Sequence, residues 1–464
     1  MSPRTKRLIL IIVFAQLLLI VGLLALPAAV TAIPGRYRVA LSERAPVLGE
    51  LYENVLAQVA PEKTTLPAPE RVAQLPAVTI PALAQEPESA PEPTTQPTPE
   101  VAINGTDETT EEGVVASPTP TVSPTSTKVP TPTPSPTPLP RSVLLEGIER
   151  VQQGFNNCGP ANLTQVLNWY GDPTTQTEAA SYLKPNPEDR NVSPWQLSDY
   201  VNEFTALRST VHSGGDIDLL KRLIAAGYPV VIEKGYEPQT AGAQGWFGHY
   251  LTVFAYDEDT RELTSMDSYL KVGPEGRSDP YDFIEQYWQH FNYTFYVVYE
   301  PEDEAEVYEI IGPELLDPLT MWEHAAERAQ ADIDADPNNA FAWFNLGTSL
   351  TRLGELTGGR EFYESGASAF DQARTIGLPP RMLWYEFRPY LAYMKVGRYD
   401  DMITLADTIL ETQGGRNVEE TYLYRGHALL FTGQVNEAVS DYQRALQLNE
   451  NFYPAQIALE SVGG

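Results

Sequence analysis

A basic start, Met1 to Arg7, gives way to an uncharged, largely apolar run over residues 8–30. Such a run is long enough for a helix to cross a bilayer core, which takes roughly 20 residues. Arg4, Lys6 and Arg7 lie on its N-terminal side, so the positive-inside bias keeps that end in the cytoplasm and exports the remainder. A transmembrane anchor over residues 1–32 is expected, crossing the cell membrane once. The alternative is a cleaved signal segment and a secreted product, since Val30-Thr31-Ala32 resembles a small-residue cleavage site. Residues 38–59 then carry a modest amphipathic pattern, enough for a short helix.

The pattern fades over residues 60–140. SPTPTVSPTSTKVPTPTPSPTPLP holds almost no large apolar side chain. Such a stretch cannot bury enough surface to fold, and it samples extended polyproline conformations. Residues 33–140 therefore read as a juxtamembrane segment and a disordered Pro/Thr/Ser-rich linker, a passive spacer of roughly 3 Å per residue where extended.

From residue 142 helical and strand periodicities alternate as far as about residue 300. Leu163, Val166, Leu167 and Tyr170 recur at helical spacing after Pro160, which suits a first helical turn. Further helices are expected over 193–204 and 217–226, the second ended by Gly227. Strands are expected over 229–233, 250–256, 262–266 and 294–299. Helices first and antiparallel strands after them make an α+β fold, assigned to residues 141–302. An acidic stretch, PEDEAEVYE, leads into a region that reads as helical to the end of the chain, residues 315–464.

Composition changes this picture at three points. The 40 prolines crowd into the linker, which marks that part of the chain as non-globular. A formal charge of −31 argues against nucleic acid or an anionic membrane surface as partner, because both would repel it. A single cysteine rules out an intramolecular disulfide, so stability rests on packed cores.

That cysteine is also the candidate chemical centre. QQGFNNCGPANL places Cys158 directly before a helix, whose N–H groups and dipole stabilise a thiolate and make it nucleophilic. Gln152 and Gln153, just upstream, can each point an amide donor at the oxyanion of a tetrahedral intermediate. His249 stands in GWFGHYLTVFAY at the start of the strongest strand pattern. Asp267 follows in LTSMDSYL, just past the next strand. Adjacent antiparallel strands bring the start of one beside the end of the other. Asp267 can then accept from one imidazole nitrogen while the other faces the thiol. This is a nucleophile, a base and an orienting group. His212, His290, His324 and His427 have no companions at useful spacing and read as surface or packing residues. No His/Cys/carboxylate cluster suggests a metal site, and the chemistry calls for no cofactor.

NNCGPANL preceded by glutamine, then GHYLTV, then an aspartate after the next strand, resembles the bacteriocin-processing (double-glycine leader) peptidases of the papain-like clan. The resemblance covers roughly residues 142–300. It implies an α+β papain-like cysteine peptidase domain, with Cys158 as nucleophile, His249 as general base and Asp267 as orienting carboxylate. It implies an oxyanion glutamine at Gln153 or Gln152, and QGFNNCGP favours Gln153. Two departures stand out. Many relatives have proline after the aspartate, where this chain has Ser268. Transporter-linked members carry a phosphate-cradling GxxxxGK[ST] loop, which this chain lacks, so an ATP-driven exporter is not implied and the substrate need not be a leader peptide.

In the C-terminal region Trp343 and Leu346-Gly347 match the W-x-x-L-G opening of tetratricopeptide repeats. Small residues (Gly347, Ala392, Gly426, Ala438, Ala445) recur where helices approach, and Trp343, Leu346, Tyr422, Leu429 and Tyr442 fill between them. Residues 418–451 span about one unit. About three units are expected, the first carrying an insertion around residues 356–363. Such an all-α stack either binds a protein partner or positions the catalytic domain. The expected function is peptide-bond hydrolysis on a peptide or protein substrate. The alternatives are acyl transfer on the same machinery and a catalytically silent binding scaffold.

Overall fold

The strongest strand pattern of the sequence forms the middle of an antiparallel sheet. In this computed structural model the described residues are 138–463 except 238–244, 271 and 413, and before them 46–59, 65–69, 80–81 and scattered positions among the first 45. Residues 1–81 and 139–464 group as one unit and 82–138 as another. The strands are β1 (Ser142–Leu144), β2 (Arg208–His212), β3 (Val230–Tyr236), β4 (Phe247–Asp257), β5 (Glu262–Met266), β6 (Arg277–Pro280) and β7 (Phe295–Tyr299). Their order is β2-β7-β3-β4-β5-β6, with β1 added alongside β4. Val230 to Gly235 of β3, like Gly248 to Tyr256 of β4, are buried throughout. Their sequences do not alternate strictly, and Glu233, Lys234, His249 and Thr252 are buried among the apolar residues. The β4–β5 register shifts between Val253 and Ala255, a bulge that tightens the local twist.

Helix α1 (Pro46–Val59) lies in the juxtamembrane segment. Helices α2 (Cys158–Trp169), α3 (Gln176–Leu183), α4 (Pro194–Phe204), α5 (Ile217–Ala225) and α6 (Tyr281–Trp288) belong to the sheet-bearing region. Local chemistry starts and stops them. Capping boxes open α3 (Thr175 with Glu178) and α4 (Ser193 with Gln196), and Asp216 caps α5. Gly227, at φ +103°, then turns the chain out of α5 into β3. Leu163, Val166 and Leu167 of α2 are fully buried against Leu197, Val231, Tyr250 and Tyr296. Burial of such side chains stabilises by about 1.5–3 kcal/mol each. This packing holds the N-terminus of α2 against the sheet. The predicted elements are present to within a few residues at each end, whereas β1, β2, β6, α3 and α6 are additions to the prediction.

After β7 the chain is helical: α7 (Glu304–Ile311), α8 (Pro313–Leu316), α9 (Pro318–Ala335), α10 (Ala340–Thr357), α11 (Arg360–Ile376), α12 (Arg388–Lys395), α13 (Tyr399–Glu411), α14 (Glu419–Phe431), α15 (Val435–Leu448) and α16 (Tyr453–Ser461). Each helix from α9 to α16 packs on the next in the chain, most extensively α10 on α11 and α14 on α15. Pairing is close where glycine removes a side chain. A Cβ on Gly347 would lie 2.7 Å from the Phe370 ring, and one on Gly426 would lie 2.4 Å from Tyr442. Residues 356–363, expected as an insertion, form the end of α10, the turn at Gly358 and Gly359 and the start of α11.

Two expectations about the N-terminal third meet the structure differently. Among the described residues no helix is long and apolar enough to cross a membrane. The expected anchor lies almost wholly outside them. Within the stretch read as a passive linker, residues 65–69 are docked on the helical region. The Leu66 N–H donates to Leu378 O at 2.8 Å, and the Leu66 side chain is buried.

Candidate active site

Cys158 is the first residue of α2, and it follows a turn in which Asn156 adopts φ +56°. Asparagine tolerates that left-handed conformation better than most residues. The buried Lys184 ammonium bonds to Asn156 O at 3.0 Å and holds the turn. The side chain of Asn157, the residue before the helix, makes no capping bond. The first-turn N–H groups are thereby left for whatever lies over Cys158.

β4 presents His249 near its start, and Asp267 directly follows β5. Their antiparallel pairing brings the two side chains together: His249 Nε2 and Asp267 Oδ1 lie 3.0 Å apart. The Cys158 sulfur acts on the same imidazole and favours its charged form. Asp267 Oδ1 also accepts from the Tyr269 and Leu270 N–H groups, at 2.8 and 3.0 Å. Its Oδ2 faces Arg277 Nη1 at 3.5 Å.

Both members of the pair are buried, His249 at 2% exposure and Asp267 at 0%. Burial alone would push the imidazole down, but the Asp267 carboxylate and the Cys158 sulfur outweigh it and raise His249 to about 9. Burial would likewise raise Asp267. The imidazole and the two backbone N–H groups instead hold it well below the usual carboxylate range. Tyr236, Phe247 and Tyr269 surround the imidazole with ring centroids at 6.0, 6.4 and 6.1 Å. They form an apolar wall beside the base.

The two glutamines separate cleanly. Gln152 is exposed, its Nε2 donates to Ser268 O at 3.2 Å and its Oε1 accepts from Arg150. It is turned to that contact and not toward the thiol. Gln153 accepts at Oε1 from the Ser268 hydroxyl, 2.9 Å away, while its Nε2 has no hydrogen bond among the described residues. Only Gln153 therefore keeps its donor free.

Three further residues brace the site. Asn162, one turn after Cys158, shares its N–H bonds among Cys158 O, Tyr250 O and Ser268 Oγ at 2.9–3.0 Å. Ser268 relays that bond to Gln153. Gln176 accepts from Gly154 N at 2.9 Å and donates to Gln152 O at 2.7 Å, pinning the loop before the cysteine. None of Asn162, Ser268 and Gln176 was singled out as a site residue from the sequence.

The other histidines are packing residues. His212 is buried between Thr210 Oγ1 and Leu315 O, and His290 accepts from Trp246 Nε1. His324 contacts Glu314, and His427 contacts Tyr442. Among the described residues no group of three or more His, Cys, Asp or Glu side chains is arranged to hold a metal ion.

Residues 145–296 match the Peptidase_C39 like family. That span contains Cys158, His249, Asp267 and both glutamines, and gives the C39-like region the fold of a papain-like cysteine peptidase. Among solved structures, a putative C39-like peptidase from Bacillus anthracis is 17% identical. That match covers 34% of this chain and 96% of the other, with a TM-score of 0.29. Xylellain, a cysteine protease from Xylella fastidiosa, is 16% identical over 35% of this chain and 87% of its own, with a TM-score of 0.23. No curated protein matches the chain.

Proposed function

We propose that the chain is a cysteine peptidase held at the outer face of a cell membrane, where it hydrolyses peptide bonds. The observation that carries this reading is the buried His249–Asp267 pair, 3.0 Å apart, whose imidazole is influenced by the single cysteine at a helix N-terminus. In the proposed cycle His249 takes the Cys158 proton and the thiolate attacks the scissile carbonyl carbon. The oxyanion accepts from Gln153 Nε2 and the Cys158 backbone N–H. The C–N bond then breaks as His249 returns its proton to the leaving amine. A water deprotonated by His249 attacks the thioester, releasing the acid and the thiol. Asp267 keeps the imidazole oriented and stabilises its charged form throughout.

The membrane tether rests on the apolar run and its flanking Arg4, Lys6 and Arg7, with secretion after cleavage as the alternative. Recovery of the protein as a soluble cytoplasmic species would overturn both. The helical pairs are read as tetratricopeptide-type repeats, supported by the close Gly347–Phe370 and Gly426–Tyr442 approaches. They position the catalytic region and offer a surface for a protein partner.

The decisive test is the rate of Cys158 alkylation from pH 5 to 9, beside hydrolysis of a fluorogenic peptide mixture. Alkylation that persists near pH 6, and falls at least tenfold in His249→Ala, is expected. Cys158→Ala should abolish hydrolysis. A thiol indifferent to His249 would leave a binding scaffold, and products capped by added amine rather than water would make the enzyme an acyltransferase.

A further inference from the structure

The docked stretch of the linker has a regular burial pattern. Leu66 and Pro69 are buried, Pro67 is half-buried, and Thr65 and Ala68 are exposed. Anchors three residues apart share one face of a polyproline II helix, which has three residues per turn. The sequence Leu-Pro-Ala-Pro enforces that conformation. Pro67 and Pro69 fix their own φ, and each proline bars the residue before it from the helical region.

The surface it meets is built for an extended backbone. Leu66 N–H donates to Leu378 O at 2.8 Å, and Pro67 O accepts from Arg374 Nε at 2.9 Å. Arg374 is itself buried and held by Asp401 and the Tyr393 hydroxyl, each at 3.0 Å, so its donor is fixed before the peptide arrives. Gly377, at φ +122°, leaves room for Thr65, whose Cγ2 would lie 3.2 Å from a Cβ there. The Leu66 side chain enters an apolar cluster with Leu378, Met382, Trp384 and Tyr393.

We propose that the end of α11 and the turn after it form a recognition site for a polyproline II segment of the form Leu-Pro-x-Pro, occupied in cis by residues 65–69. Bonds to the peptide main chain, accepted by Leu378 O and donated by the Arg374 side chain, supply orientation, and burial of Leu66 and Pro69 supplies selectivity. The ligand arrives already extended, so little conformational entropy is lost on docking. One consequence rests on the proposed N-terminal anchor. With the strap docked, the tether between membrane and folded body is residues 33–64, not 33–140. With α1 at about 1.5 Å per residue and the remainder extended at about 3 Å per residue, that shortens its reach from about 310 Å to about 80 Å.

The test reads binding in the full chain, in a Cys158→Ala background, so it stands or falls separately from the hydrolase reading. A fluorescent peptide spanning residues 63–71 is titrated against this protein and against the same protein carrying Leu66→Ser and Pro69→Ser. The proposal expects the released variant to bind at least tenfold more tightly than the protein with its strap intact. The same peptide with aspartate in place of Leu66 should not bind. Equal binding to both proteins, or none to the released one, overturns the site. Hydrogen exchange supplies an independent check. The Leu66 amide should exchange at least tenfold more slowly than in the free peptide, and exchange at the free rate overturns the docking itself.

Discussion

The Ser268 hydroxyl decides which way the Gln153 amide faces. It accepts from the buried Asn162 amide and donates to Gln153 Oε1, so the Gln153 N–H bonds are left pointing elsewhere. Serine at this position therefore acts at a distance from the carboxylate it follows. Removing an oxyanion donor outright costs about 10²–10³ in kcat. Ser268→Ala does not remove the donor but unlocks its orientation and leaves Asn162 short of an acceptor. A fall of about tenfold in kcat, with KM changed less than twofold, is the expected result from steady-state hydrolysis of a fluorogenic peptide. Ser268→Thr keeps the hydroxyl, adds one buried methyl, and should recover part of the loss. An effect confined to KM, or no effect, would mean that Gln153 is oriented by something else.

At the scale of elements, two glycines flank the proposed nucleophile and base in opposite circumstances. A Cβ on Gly159, in the first turn of α2, would meet Leu197 and Tyr250 at 3.4–3.6 Å, ordinary packing distance. One on Gly248, the residue before His249 in β4, would lie 2.7 Å from Phe291 Cζ and 3.0 Å from Tyr385. Those rings belong to a buried cluster and have little room to retreat. Gly248→Ala is expected to cost about 1–3 kcal/mol and to push the start of β4, with His249, out of register with Cys158. Gly159→Ala should change stability by less than about 1 kcal/mol, since alanine also favours the helix. Denaturant unfolding and thiol alkylation of both variants check the contrast, and equal destabilisation would refute it.

The same elements mark how far the sequence could be read. Helix α2 was legible because Leu163, Val166 and Leu167 repeat within one segment, and β4 because its apolar run is long. Helix α3 was not predicted: it opens with a Thr175–Glu178 capping box but lacks an apolar stripe, with only Ala179 and Leu183 buried. The bracing bonds were not readable. Asn162 meets Ser268 only after the chain has folded back through α4, β3 and β4, and no local period encodes that. Residues 65–69 look like any other proline-rich spacer because the partners that order them, Arg374 and Leu378, lie some three hundred residues away in sequence.

At the scale of the whole molecule, the C39-like region and the helices share one core. Trp246 and Phe291, beside the proposed base, pack in the same buried cluster as Phe344, Trp384 and Tyr385 of the helical region. Asn292 Nδ2 also donates to Ser349 Oγ at 2.9 Å across the junction. Truncation after residue 302 would expose those rings, so the helices stabilise the C39-like region. The buried acids give this common core a pH dependence with a definite sign. Glu419, 4% exposed, is pushed up by burial from 4.5 to about 8, so the folded state holds a proton that the unfolded state releases. Its contribution falls as pH rises through that interval, and His249, raised from 6.5 to about 9, adds a decline over its own. Burial lowers His212 to about 4 and His290 to about 3, so their contributions are already complete above pH 6.5. Lys234, lowered by burial to about 8, begins to favour the fold only above that pH. Between pH 6.5 and 8 these groups therefore all push one way. Calorimetry should show residues 141–464 of the chain unfolding in a single transition whose midpoint falls steadily across that window. Glu419→Gln should flatten the slope. Two separated transitions would mean that the shared cluster does not couple the regions, and a midpoint rising with pH would mean that Glu419 is ionised in the fold.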